Sequence, residues 1–403
     1  MKWMRLTVRT CAVLVAVGCA CSGTVGGMKV PYGVVPATSL FVAAVAGVAH
    51  VASLFMLGAA GVGLATLFWP RFFCRWLCPL GTCQNSAMAL YQLKWRRPWI
   101  AKLPALGRWF FWIAVGGGVV GYPFFLWLDP LVLFNASVGA IHVRMNTLDY
   151  FWAAVVPLFI LTAMLFPGLW CAKLCPLGGA QDVVAELRHG MVALMGCIRR
   201  RGSVSVGSGF DAGRRLFLGL GAGAGVRALV PPSVGIAKPV LRPPMARSND
   251  QFVRLCARCG ACVKACPNQL IRYGGSGGGF ASMLAAEVSL DRKSCPPACV
   301  ACGCVCPTGA IEHFTAKTKF QRPMGVAEID HDYCRMAQGG GCGICIMACP
   351  HRALRRVYNR EEDRYEIAVV RERCTGCGAC IFVCPTEVIF VVPPQSNVPR
   401  VKK

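Results

Sequence analysis

Residues 38–69 carry no acidic or basic side chain apart from His50, and long apolar runs return at about 109–128 and 150–170. A shorter run, about 10–25, follows the basic start Met1–Arg9. Runs near 20 residues are what a helix needs to cross a hydrocarbon layer, so the pattern predicts four membrane spans. The first also reads as a signal-peptide-like segment. Lys94, Arg96, Arg97, Lys102 and Arg108 fill the loop after the second run, which the positive-inside rule places in the cytoplasm. Past residue 200 the pattern changes. A Gly/Ser linker over 202–209 leads to Arg214-Arg215 and a weakly apolar Gly/Ala stretch, which reads as a twin-arginine export signal or a fifth span. Residues 238–250, rich in Pro and Arg, read as an extended spacer. Beyond them the apolar positions alternate in short runs, such as Glu287–Asp291 and Ala327–Asp330, as strands do. The expected domains are 1–200, 201–250 and 251–403.

Composition sharpens this picture. A hydrophobic content of 55% and a mean hydropathy of +0.51 agree with membrane spans. The net charge of +25 would ordinarily raise nucleic acid as a partner. Much of the Lys and Arg lies beside apolar runs, so no nucleic acid is expected. The 26 cysteines are the strongest signal in the chain.

Cys374, Cys377, Cys380 and Cys384, followed by Pro385, are spaced C-x2-C-x2-C-x3-C-P. That spacing wraps three thiolates around one cubane and sends the fourth to a second cluster. Zinc sites use pairs of C-x2-C and explain neither the third interval nor the proline. The motif occurs three more times: Cys256, Cys259, Cys262 and Cys266; Cys295, Cys299, Cys302 and Cys306; and Cys334, Cys342, Cys345 and Cys349. The second group has an extra Cys304, which leaves Cys295 or Cys304 as the spare, and the third has a stretched first gap. These sixteen cysteines are the candidate iron ligands of four 4Fe–4S clusters. Two pairings remain open: motif one with two and three with four, or one with four and two with three. Strand, cluster loop, short helix and strand repeat along this half, predicting an α+β ferredoxin-like polyferredoxin domain.

The N-terminal half has its own repeat. Residues 69–81 match residues 166–178, each ending in C-x3-C-P-L-G. This predicts a membrane α-helical domain built as two two-span hairpins, with Cys74, Cys78, Cys171 and Cys175 brought together on one side. Those four are additional candidate metal ligands, or else structural or redox thiols. His50, His142, Asp129 and Asp149 are the titratable groups in or beside the spans and are candidates for a quinone site. Arg258, Lys264, Arg335 and Arg373 lie near cluster motifs, where positive charge raises potentials. Catalytic nucleophiles and nucleotide loops are not evident, so no catalytic residue is assigned.

The C-terminal half resembles the NapG/MauM-type periplasmic polyferredoxins in its Arg214-Arg215 segment and its order of four motifs, including Cys334 to Cys342. The N-terminal half resembles NapH/MauN-type membrane proteins in its four apolar runs and two C-x3-C-P elements. It lacks the extra ferredoxin motifs such proteins carry after their last span. The resemblance implies a fusion of the two partners in the bacterial cytoplasmic membrane, with the polyferredoxin on the periplasmic side. It implies an electron-transfer component of a quinol dehydrogenase, passing electrons from the quinol pool to a periplasmic reductase or cytochrome. The alternatives are an electron donor for maturation of another protein and a structural docking module.

Overall fold

The computed structural model describes residues 2–21, 24–25, 28–29, 39–48, 55–91, 102–119, 125–142, 147–166, 168–199, 218, 221–222, 225, 240–275, 282–291 and 293–393. The chain forms two compact units. One comprises Met1–Gly235 with Val253–Gly260, and the other Ile236–Phe252 with Ala261–Lys403.

The first unit is helical. Among the described residues no helix is long and apolar enough to cross a membrane. This overturns the four-span fold, and the cytoplasmic-membrane localisation that rested on it. Within residues 38–69 the described helices are Leu40–Val48 and Phe55–Phe68, of 9 and 14 residues, where a span needs about 20. Residues 109–128 give Leu106–Val119 and then a short 3-10 turn at Leu126–Leu128. Thr147–Leu165 holds Pro157 in its interior and Asp149 near its start. Lys2–Cys21 carries Lys2, Arg5 and Arg9 in its first half. The expected fifth span and the Arg214-Arg215 pair lie outside the described residues, apart from positions 218, 221, 222 and 225.

The internal repeat is visible in the backbone of this unit. Phe72–Trp76 holds Cys74, and a π-helical turn, Leu169–Leu174, holds Cys171. Each is entered through a left-handed residue at the same repeat position, Arg71 at φ 55° and Gly168 at φ 78°. Each is followed by a helix that begins on the proline of C-x3-C-P: Pro79–Tyr91 and Pro176–Arg199. Proline suits this first position because its fixed φ is helical and its missing N–H has no partner to lose there. The thiols of Cys78 and Cys175 accept the backbone N–H groups of Gly81 and Gly178, both at 3.4 Å.

The second unit is built from small antiparallel ladders and single-turn helices. Ile271–Tyr273 pairs with Ala286–Val288, Val326–Ile329 with Ile389–Val392, and Leu354–Asn359 with Arg364–Val369. Ala261–Ala265, Ala301–Val305, Ile344–Ala348 and Ala379–Phe382 each follow a cysteine loop and carry the third cysteine of its motif. The core of motifs three and four joins Val326, Ala327, Leu354, Ile367 and Ile389 to the cysteines themselves. Short elements this small bury little apolar surface, so a packed centre has to come from whatever the cysteines enclose.

The expected spacer is part of this unit. Arg242 is buried, and its guanidinium donates to Ala286 O at 2.8 Å, Ser282 Oγ at 2.6 Å and Asn249 Oδ1 at 3.0 Å. It also stacks over Phe252 at 5.0 Å. Met245 N donates to Arg322 O, and Arg247 N to Ala310 O. A planar fork of donors satisfies carbonyls that a flexible spacer would leave in water.

Candidate iron–sulfur sites

Three hollows in the second unit are each lined by four of the predicted cysteines. One is lined by Cys266, Cys295, Cys299 and Cys302. A second is lined by Cys349, Cys374, Cys377 and Cys380. The third is lined by Cys334, Cys342, Cys345 and Cys384. Each encloses about 20 Å³. In each set three cysteines come from one motif and the fourth is the Cys-Pro cysteine of its partner. Motif one therefore pairs with two, and three with four. Cys295 lines its hollow, while Cys304 is exposed.

Electrostatics divide the thiols in the same way. Burial pushes Cys302 up to about 12, reinforced by Cys295, Cys299 and Cys266. Burial with Cys377, Cys374 and Cys349 raises Cys380 to about 12. Burial with Cys334, Cys342 and Cys384 raises Cys345 to about 11. Each central thiol thus feels the three others of its own hollow. Free thiols held this high stay protonated at neutral pH, and binding iron has to expel the protons.

The loops also aim backbone donors at sulfur. Leu270 N points to Cys266 Sγ at 3.3 Å, Ile311 N to Cys306 Sγ at 3.4 Å, and Ala353 N to Cys349 Sγ at 3.3 Å. Ala327 N does the same for Cys374 at 3.4 Å. Burial alone would raise Cys384, but Thr386 and the amides of Val388, Thr386 and Glu387 outweigh it and lower its pKa. Donors facing sulfur fit thiolate ligands of a cluster better than buried, neutral thiols. Among the described residues no three His, Cys, Asp or Glu side chains converge closely enough to hold a single metal ion. A cubane does not require such convergence, because each of its thiolates binds a different iron.

In the first unit Cys74, Cys78, Cys171 and Cys175 share one electrostatic neighbourhood. Cys74 is raised to about 12 by burial and then by Cys171, and Cys171 to about 11 by burial against the opposing Arg71. Burial, reinforced by Cys74 and Cys171, also raises Cys78 and Cys175. Two glutamines ten residues beyond the first cysteine of each repeat cross over between the repeats. Gln181 Nε2 donates to Cys74 Sγ at 3.2 Å, and Cys171 Sγ donates to Gln84 Oε1 at 2.6 Å. Arg71 clamps Asp182 with two contacts of 2.6 Å.

The quinone-site candidates fare differently. Asp129 is fully buried and caps Pro130–His142: its carboxylate accepts Ser39 Oγ and the amides of Leu131 at 2.8 Å and Val132 at 3.3 Å. Burial raises its pKa to about 6 despite those bonds. His50 and the side chains of His142 and Asp149 lie outside the described residues. Of the basic residues singled out, Arg258 is buried and donates to Cys256 O at 3.1 Å, and Arg335 lines the third hollow. Lys264 is half-buried and Arg373 exposed. Sequence reasoning missed Lys319, which is buried against Cys295.

The cysteine loops of this fold are of the ferredoxin, 4Fe–4S-binding type. Residues 340–388 match a 4Fe-4S dicluster domain, and residues 50–98 and 148–192 match a 4Fe-4S binding domain. The chain is similar to the methylamine utilization ferredoxin-type protein MauM of Methylorubrum extorquens, 34% identical over 134 residues. That match covers 32% of this chain and 60% of the relative. The ferredoxin-type protein NapG of Escherichia coli is 32% identical over 111 residues, 27% of this chain and 48% of NapG. The ferredoxin-type protein NapF of Escherichia coli is 28% identical over 147 residues, 29% of this chain and 85% of NapF. The chain thus spans about half to three fifths of the length of the MauM and NapG relatives. No solved structure matches it.

Proposed function

We propose that the sixteen cysteines hold four 4Fe–4S clusters, and that the chain passes single electrons from a quinol-type donor to a separate redox protein. The observation that carries this reading is the exchange of Cys-Pro cysteines, which completes three four-thiol hollows. When bound, such clusters supply one-electron acceptor and donor states. The chain's own residues bury the sulfurs, keep water from them and present amide donors that stabilise negative charge.

Substituting single cysteines tests the exchange. Cys345→Ser and Cys384→Ser remove the same cluster signal, because those residues line one hollow, whereas Cys380→Ser removes a different one. Loss of different signals in the first two variants contradicts the pairing. Adding a reduced quinol analogue to the intact protein tests the donor. Clusters that fill with dithionite but stay oxidised with the quinol leave the maturation or docking role.

We further propose that the N-terminal unit is the counterpart of a NapH/MauN-type protein, and that Cys74, Cys78, Cys171 and Cys175 form an additional metal–thiolate site. The crossed Gln84 and Gln181 contacts support it, since they hold thiols from both repeats in one place. The double variant Cys74→Ser/Cys171→Ser is expected to lose iron while the other cluster signals remain. Unchanged iron assigns the four to structural thiols.

A further inference from the structure

Lys319 is 1% exposed, a cost of several kcal/mol for an ammonium unless its charge is met. Among the described residues no carboxylate pairs with it. Its Nζ instead donates to Pro296 O at 2.7 Å, Cys299 O at 3.1 Å, Pro297 O at 3.5 Å and Cys295 Sγ at 3.2 Å. Three of those acceptors belong to the loop between two cysteines of one hollow, and the fourth is a thiol of that hollow. The counter-charge for this cation is therefore the thiolate site itself.

That hollow sits at a junction. Cys295 N donates to Cys377 O at 2.8 Å, which links it by one hydrogen bond to the hollow of Cys349, Cys374, Cys377 and Cys380. Phe320, next to Lys319, meets the ring of His351 edge-on at 4.8 Å, and His351 lines that second hollow. An electron moving between motifs one and two and motifs three and four has a backbone path of Cys295, one hydrogen bond and Cys377.

We propose that Lys319 is a positioning residue that sets the potential of the site formed by Cys266, Cys295, Cys299 and Cys302, making it the higher-potential stop at this junction. The proposal rests on the cluster reading above. A reduced cluster carries one more negative charge than an oxidised one, so a fixed neighbouring cation and its hydrogen bond to sulfur favour reduction. A cation that served only to brace the loop carbonyls would leave the potential where it is.

The test is a redox titration of the full chain by electron paramagnetic resonance, with iron analysis, on wild type, Lys319→Met and Lys319→Arg. The expected result is wild-type iron content in Lys319→Met, one midpoint shifted to lower potential, the others unmoved, and Lys319→Arg close to wild type. A full set of clusters with every midpoint unmoved overturns the proposal. If Lys319→Met fails to load that cluster, Lys319→Gln keeps a donor for the carbonyls without the charge. A lowered midpoint there supports the proposal, and an unchanged one overturns it. Wild type lacking cubane signals would instead overturn the cluster reading, and its iron content tells the two failures apart.

Discussion

Burial holds the Cys74 thiol at about 12 and Cys171 at about 11, against about 8.5 for a free thiol. Both are therefore protonated at neutral pH until a metal displaces the proton. In chelator-treated protein, alkylation of these two should be slow at pH 8 and accelerate only at higher pH, as read by mass spectrometry. Metal uptake at the same thiols should strengthen as pH rises, because each thiolate formed is one proton fewer to expel. Alkylation at the rate of exposed Cys11 would contradict the burial. Asp129 makes a second point at this scale. As a buried helix cap, its replacement by Ala should cost about 1–2 kcal/mol in thermal or denaturant unfolding and leave cluster potentials alone. The cysteines that line the hollows were legible because iron–sulfur spacing is local and rigid in sequence. Lys319 was not: it follows Thr315-Ala-Lys-Thr318, and nothing local distinguishes it from a solvated surface lysine. Only the fold brings it to Cys295.

Among elements, the loop of motif four shows what the cysteine spacing requires of its glycines. Gly376 has φ +68°, and a Cβ there would lie 2.6 Å from the Gly325 backbone. Gly376→Ala should therefore cost about 2 kcal/mol or more, from left-handed strain together with the clash, and lower the melting temperature. An unchanged melting temperature would show that the loop is not as tightly held as this. Strands were readable where apolar positions alternate, as at Ala327–Asp330, which overlaps Val326–Ile329. Hydropathy alone misjudged the helices of the first unit: among the described residues its apolar runs hold helices such as Leu40–Val48 and Phe55–Phe68, each shorter than a span. The Pro/Arg-rich 238–250 segment misled for another reason. Composition suggested a spacer, whereas Arg242 found three acceptors, two of them buried, supplied from residues up to 44 positions away.

For the whole molecule, the pairing of motifs fixes an order that sequence left open. Hollows completed by exchanged cysteines tie motif one to two and three to four, and the Cys295–Cys377 hydrogen bond joins one pair to the other. The repeat in the first unit was legible as matching C-x3-C-P elements, but the crossing of Gln84 and Gln181 appears only when the two halves are folded together. The central claim is that this chain is a multi-cluster electron carrier. It is tested most directly by a reductive titration of the anaerobically purified full chain, followed by electron paramagnetic resonance and iron and sulfide analysis. The account predicts roughly sixteen iron atoms in the polyferredoxin motifs, as four cubanes of four iron atoms, whose signals appear on reduction and vanish reversibly on reoxidation. Thiols that bind no iron, or iron that does not cycle, would contradict it.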